Sequence, residues 1–438
     1  MDRLIQEKLL EWKRSKNRKP LILRGVRQCG KTYTLRKFGE SYRNTAYFNF
    51  EGNSDLISIF EKDLDPHRIL DDLRLRYRAE ITKDTLIIFD EIQSCNAALT
   101  SMKYFCENAP EYHIACAGSL LGIMLSKPLS FPVGKVNFLT MYPMTFPEFM
   151  IAMGESRLYE HLRSMPAGEP VPEAFMSVLM KLYKEYTFVG GMPEAVAEWI
   201  SSRDPQAVRK IQSEIIRSYE TDFAKHAPPG MVQKLNRIWA SIPEQLSKEN
   251  RKFFFGHAVE GARAKDLEDA LQWLIDAGSV IRVGMISRPS VPLSAYEDHS
   301  SFKVYLSDIG LLAATAQVPV SSLISADERY REFKGGMTEN YVLTELIASS
   351  GRIPFYWRSG NKAEVDLIHM MGDEIVPIEI KSGEPGRLQS LEQYISKFDP
   401  AKALVISERN VRPGMVTFIP LPLAWDAERR ISVRKNVS

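Results

Sequence analysis

Over the first 150 residues, short apolar runs alternate with stretches whose apolar positions recur at helical spacing. LILRG (21–25), opened by Pro20, reads as a buried parallel strand, and YTLRKFGESY (33–42) as a helix. TLIIFDEIQ (85–93) sets four apolar residues ahead of Asp90 and Glu91 at a strand's C-terminal end; YHIACAG (112–118) predicts a further strand, and SLLGIML (119–125) reads as helical. From about 155 to 241 the spacing turns to steps of three and four. AFMSVLMKLYKEY (174–186) and IQSEIIRSYETDF (211–223) predict amphipathic helices. Between them, GGMPEAV (190–196) reads as a helix-to-helix turn with a proline just inside the second helix. DLEDALQWLIDAGSVIRVGMIS (266–287) places Leu267, Ala270, Leu271 and Leu274 on one helix face, breaks at Gly278 and continues as a strand. In the last 120 residues GGMTENYVLTELIASS (335–350) reads as a helix, and AEVDLIHMM (363–371) and IVPIEIKSG (375–383) as strands joined at Gly372-Asp373. RLQSLEQYISKF (387–398) closes the pattern as a helix.

Length and composition narrow this picture only a little. At roughly 150 residues per domain, 438 residues suggest about three domains. A hydrophobic content of 44% with 26% charged residues is that of an ordinary globular chain. The net charge is only +2, so any surface that binds a polyanion must be local. Cys29, Cys95, Cys106 and Cys116 form no CxxC pair and have no histidine at ligand spacing, which favours reduced thiols over a disulfide or zinc framework. The charged opening MDRLIQEKLLEWKRSKNRK does not read as a signal peptide, and the apolar run ACAGSLLGIML stops short of the ~18 residues of a membrane helix. The expectation is a cytoplasmic protein with no membrane partner.

Chemistry enters at residues 25–32. Gly25, Val26, Arg27, Gln28, Cys29, Gly30, Lys31 and Thr32 follow a strand and open a helix, in the order GxxxxGK[ST] requires. In such a loop the glycines let backbone N–H groups face phosphates. Lys31 supplies a charge for the β- and γ-phosphates, and Thr32 a hydroxyl for Mg²⁺. Asp90 is the candidate metal anchor, and Glu91 the group that orients and deprotonates the attacking water. Ser119, at the end of the following strand, is a candidate γ-phosphate sensor and equally a helix cap. An Asn-Lys-x-Asp guanine tetrad is missing; its nearest approach, NKAE at Asn361 to Glu364, lacks the aspartate. ATP with Mg²⁺ is therefore the expected ligand pair.

Together with these residues, AGSLLGIMLSK, LTMYPMTFPEFM, FVGGMPEAV, IIRSYETDFAKH, VYLSDIGLLAA, GGMTENYVLTEL, FYWRSGNKAEVDLI and PIEIKSG resemble the prokaryotic AAA+-like P-loop ATPases that carry a conserved C-terminal domain of unknown function. The resemblance covers nearly the whole chain and implies ATP hydrolysis. Related sequences place a Gly-Arg pair before the YPMTFPEF-like stretch, whereas this chain has Gly134-Lys135, so no arginine finger is assigned.

The helices and strand of 231–315 resemble a winged helix. Lys248, Arg251, Lys252, Arg263 and Lys265 are its candidate DNA-facing residues, or equally the solvated face of a packing module. At the C-terminal end, alternation puts Glu379 and Lys381 on one strand face, and the hairpin brings Asp366 across from them. Asp366 and Glu379 would hold Mg²⁺ and Lys381 would position hydroxide, an arrangement similar to the PD-(D/E)xK nuclease core; a degenerate nuclease fold is the alternative. Val365, Leu367, Ile378 and Ile380 would pack on the opposite face.

The expected architecture is α/β throughout: a P-loop parallel-sheet core (1–154), a helical lid (155–230), a winged-helix-like module (231–315) and a restriction-nuclease-like domain (316–438). The expected function is an ATPase that passes a conformational change to its C-terminal half. Two other classes remain, an ATP-gated nucleic-acid-processing or defence nuclease, and a switch that docks a protein partner. Nucleic acid, a protein partner and a second copy of the chain are the partners these readings bring in.

Overall fold

The computed structural model describes residues 1–118, 134–248, 250–261, 263–319, 331–360 and 363–432. The chain divides into two compact units, one formed by Met1–Pro143 with Trp273–Ser279 and the other by Met144–Gln272 with Val280–Ser438.

In the first unit five strands, β1 (Leu21–Arg24), β2 (Asn44–Asn49), β3 (Thr85–Asp90), β4 (His113–Gly118) and β5 (Asn137–Thr140), form a wholly parallel sheet in the order β2-β3-β4-β1-β5. Helices α1 (Ile5–Arg14), α2 (Lys31–Gly39), α3 (Ser54–Lys62), α4 (Pro66–Tyr77) and α5 (Asn96–Asn108) accompany it. Helices on both faces of a parallel sheet explain why Leu21, Ile22, Leu23 and the whole of β3 are buried instead of alternating. Local chemistry sets several helix starts: Asn53 accepts from the Leu56 N–H, and Asp65 accepts from His67 N–H with Pro66 in the first turn. Phe48, Phe50, Phe60, Phe89 and Phe105 pack together beside the sheet, each ring contributing on the order of 2 kcal/mol by burial. At the end of β1 the backbone approaches so closely that a Cβ on Gly25 would lie 2.1 Å from the Met141 carbonyl oxygen; only glycine fits there.

The second unit is built on a seven-stranded mixed sheet. Its strands are β6 (Val280–Ile286), β7 (Glu297–Leu306), β8 (Phe355–Ser359), β9 (Ala363–Met371), β10 (Glu374–Ile380), β11 (Ala403–Ser407) and β12 (Val416–Pro420), in the order β12-β11-β10-β9-β8-β6-β7. Its helices are α6 (Phe146–Ala152), α7 (Ser156–Ser164), α8 (Glu173–Val189), α9 (Pro193–Ser202), α10 (Pro205–His226), α11 (Val232–Leu246), α12 (Phe255–Ala258), most of α13 (Ala264–Asp276), α14 (Ile309–Thr315), α15 (Arg331–Ser350), α16 (Gln389–Phe398) and α17 (Ala427–Ile431). On one face of the sheet Trp357, Leu391, Tyr394 and Val405 share a core beneath α16.

This grouping differs from the expected four-part division in two places. The helices expected as a lid, and α6 before them, belong to the second unit. The reason is a set of buried ties: the Phe146 N–H donates to Glu345 at 2.8 Å, Tyr183 meets the Tyr341 ring at 4.9 Å, and Gly191 N–H donates to Asp308 at 2.6 Å. The turn GGMPEAV is thus locked by the DIG segment. Gly190 (φ +74°, ψ −168°) and Gly310 lie backbone to backbone, and a Cβ on Gly190 would meet Asp308 Oδ1 at 2.4 Å. Second, the expected boundary near residue 315 falls inside one hydrogen-bonded sheet. β6 and β7 pair antiparallel as a wing would, but β6 also runs parallel to β8 through Met285–Tyr356 and Ile286–Trp357.

Candidate nucleotide site and C-terminal charge cluster

At the mouth of the parallel sheet, the chain turns from β1 into α2 through Gln28 (φ +61°) and Gly30 (φ +96°). Gly30 stands at the helix N-cap with no side chain to satisfy the first-turn N–H groups, a terminus suited to an anion. Lys31 is buried, and its Nζ donates to the carbonyls of Gly25 and Val26, both at 2.9 Å. The Cys29 carbonyl accepts from Arg3 at 2.7 Å, fixing the far side of the loop. Although β4 lies between β1 and β3, Thr32 Oγ1 reaches Asp90 Oδ2 at 2.7 Å. Asp90 Oδ1 accepts the Glu91 N–H at 3.0 Å. Glu91 is left-handed (φ +49°), and its Oε2 accepts a short bond from Gln93 Nε2. Ser119 lies outside the described residues.

Sequence reasoning missed Tyr47. From β2 its hydroxyl donates to Asp90 Oδ2 at 2.8 Å, and Arg36 on α2 covers its ring at 4.0 Å. Burial, and then Asp90 beside it, push the phenol up to about 12, so it stays a donor. The only signal was its place on a strand neighbouring β3.

The donor set suits a magnesium nucleotide. Among the described residues the buried Lys31 ammonium is held by backbone carbonyls, which it can exchange for phosphate oxygens, and the Thr32 hydroxyl and Asp90 carboxylate stand within one hydrogen bond of each other. Thr32 and Asp90 would hold the ion.

In the second unit, the hairpin register places Asp366 opposite Glu379, as the pairs Leu367–Ile378 and Ile368–Pro377 require. Asp366 Oδ2 accepts the Ile380 N–H at 2.7 Å, and Lys381 Nζ donates to Glu379 Oε1 at 2.6 Å. Among the described residues Glu379 Oε2, though buried, has no hydrogen-bond partner. No local pattern in the chain pointed to the surrounding groups. Glu339 from α15 accepts from Arg251, Lys303 (2.9 Å) and Tyr305, and Lys303 also meets Glu364 at 2.7 Å. Arg251 stands 3.9 Å from Asp366 Oδ1. Burial, then Glu379 and Glu339, push Asp366 up to about 8. Burial also raises Glu379 despite Lys381. Burial acts the same way on Glu339, but Lys303 and Arg251 outweigh it and hold that carboxyl down at about 2. Among the described residues no group of three or more His, Cys, Asp or Glu side chains is disposed to hold a metal ion. Here the residues do not fit a divalent cation, because arginine and lysine already sit against the carboxylates.

Of the basic residues expected to face DNA, Arg251 points into this cluster, Lys252 donates to Ser301 at 2.9 Å and Lys248 pairs with Glu244 at 3.0 Å. The four cysteines form no disulfide, and no described helix is long and apolar enough to cross a membrane.

Residues 17–150 match a family model described as an AAA domain, in keeping with the α/β P-loop fold of the first unit. Residues 180–322 match a domain of unknown function (DUF8612), and residues 334–424 another (DUF4143). The chain is similar in structure to the Walker-type ATPase PABY2304 of Pyrococcus abyssi: 14% identity, TM-score 0.46, covering 72% of this chain and 95% of that one. It is also similar to the Aeropyrum pernix ORC1 protein in complex with DNA (14% identity, TM-score 0.29, 73% and 92% covered). A third similar structure is AMPPCP-bound DnaA from Aquifex aeolicus (13%, TM-score 0.28, 62% and 86%). None of these superpositions reaches a TM-score of 0.5, so they add nothing to what the loop and strand ends say for themselves. No curated protein sequence matches the chain.

Proposed function

We propose that the chain is a Mg²⁺-dependent ATPase of the AAA+-like type. The observation that carries this reading is the 2.7 Å bond from Thr32 to Asp90 beside a buried Lys31, at the end of a GxxxxGKT loop. Lys31 would turn from the Gly25 and Val26 carbonyls to the β- and γ-phosphates. Thr32 and Asp90 would hold Mg²⁺, which supplies charge neutralisation at the phosphate oxygens. Glu91 would orient the attacking water and take its proton, and Gln93 would restrain Glu91 until then. Lacking the guanine tetrad, the site is read as one for ATP.

The test is Glu91→Gln. ATP should still bind while turnover falls by roughly 10²-fold or more, the usual worth of a general base. Unchanged turnover overturns the assignment of Glu91.

A second reading concerns the C-terminal part. Its order of helix, three strands, helix and strand is similar to a restriction-nuclease core, and coupling of hydrolysis to it remains our reading of the chain. The cationic side chains against Glu339, Asp366 and Glu379 favour a domain that docks a protein partner over one that cuts nucleic acid. Purified protein with Mg²⁺ and ATP should therefore leave plasmid DNA intact; nicking would restore the nuclease reading.

A further inference from the structure

The carboxylates of the C-terminal cluster come from three elements. Glu339 lies on α15, Asp366 on β9 and Glu379 on β10. A cation between the first two would neutralise them and fill the space a divalent ion would take, and one is present. Arg251 Nη1 bonds Glu339 Oε2 and stands 3.9 Å from Asp366 Oδ1. We propose that Arg251 is a built-in guanidinium plug that takes the place of a divalent cation in this site. The proposal rests on reading the C-terminal domain as a nuclease-like fold that does not cut.

Three features show the plug to be built into the fold. Arg251 lies in a turn, its N–H donating to the Lys248 carbonyl at 3.2 Å, and its side chain is only 21% exposed. The guanidinium lies against Gly335 on α15, where a Cβ would come within 2.6 Å of Nη2, so glycine leaves its path open. The rest of the cluster is balanced around it. Lys303, wholly buried, joins Glu339 to Glu364, Lys381 takes Glu379, and Arg358 stands 3.9 Å from Glu364. Among the described residues, four carboxyl groups thus face four cationic side chains, and with Asp366 pushed up to about 8 no net negative charge is left over for a metal. Adding a divalent ion to this buried cluster while its cations stay in place is costly. Taking Arg251 away would open the space between Glu339 and Asp366 to a hard cation, which would displace the Asp366 proton and take both carboxyl groups as ligands.

The experiment measures Mn²⁺ binding to the full-length chain without nucleotide, by calorimetry or by the loss of free-ion electron paramagnetic resonance signal. Arg251→Gln removes the charge and keeps hydrogen-bonding capacity toward Glu339. It should gain one Mn²⁺ site at least tenfold tighter than anything the wild type shows in the second unit. Adding Asp366→Asn should abolish that gain, which separates it from ions held by Thr32 and Asp90. A folded Arg251→Gln chain with no gain overturns the proposal. Should that variant not fold, the single Asp366→Asn chain decides, because it must bind Mn²⁺ no differently from wild type. Any loss there means that the wild type already holds a metal at Asp366, and the plug is refuted. Failure of the plug and failure of the non-cutting reading are distinguishable, since the latter shows as plasmid nicking by wild type.

Discussion

Lys31→Ala tests the nucleotide site at a residue with well-defined geometry. Its ammonium donates to two backbone carbonyls at 2.9 Å, so its contribution to binding is the difference between those bonds and its phosphate contacts. A unit charge 4 Å from a phosphate charge at an effective dielectric of 20 is worth about 4 kcal/mol. Giving up one or both carbonyl bonds, at about 1.5 kcal/mol each for a charged donor, leaves a net loss of roughly 2 kcal/mol. ATP affinity should therefore fall by about 30-fold, and not by the many orders that the gross Coulomb energy suggests. Titration calorimetry with Mg²⁺-ATP measures it directly. The same substitution strips the Gly25 and Val26 carbonyls of their donor, so the first unit should also melt earlier without ligand; a circular dichroism spectrum like that of wild type confirms that the variant is folded when titrated. An affinity within threefold of wild type in a folded variant would refute the idea that Lys31 turns toward the phosphates.

Two further predictions concern the second unit. Gly190→Ala puts a Cβ 2.4 Å from Asp308 Oδ1 at a backbone geometry that is essentially glycine's alone, and should cost about 3–5 kcal/mol in urea unfolding while leaving ATP affinity unchanged. A midpoint shift within error would show that the contact yields freely. Glu345 is wholly buried, and burial, reinforced by Glu148, pushes its carboxyl up to about 8 even though it accepts the Phe146 N–H. A raised carboxyl contributes stability that is complete below its ordinary value of 4.5 and is lost as pH climbs through about 8, at no more than about 1.4 kcal/mol for each pH unit climbed between those two values. Glu345→Gln cannot ionise, so its melting temperature should fall less than that of wild type between pH 5 and 9. Parallel curves would mean that the carboxylate is tolerated.

What could be read in the sequence was what short range dictates. The loop from Gly25 to Thr32 and the Asp90-Glu91 pair are contiguous words, and β3 reads as buried because a parallel strand covered on both faces has no polar alternation. The juxtaposition of Asp366 with Glu379 was also legible, because a hairpin tip at Gly372-Asp373 sets the register by counting. Tyr47, Arg251, Lys303 and Tyr305 were not. Each reaches its carboxylate from another element, Arg251 and Lys303 across 88 and 36 residues, and a lone arginine or tyrosine carries no periodicity that points to its partner. The GGMPEAV turn read correctly as a turn, but its lock to Asp308 spans 117 residues. The pairing of β6 with β8 was hidden for the same reason, which is why a wing and a nuclease-like sheet looked like two modules.

That shared sheet limits how the protein can be dissected. A fragment beginning after residue 315 would lose β6 and β7 and leave β8, whose Tyr356 and Trp357 are buried in the intact chain, as an unpaired edge. An uncovered edge of that kind recruits other chains, so such a fragment should aggregate. It would also strand Glu339 in the interior without Lys303. Solubility of a C-terminal piece thus depends on a cut ahead of Val280, and the outermost strand β7 acts as the hem that keeps the sheet from fraying into its neighbours.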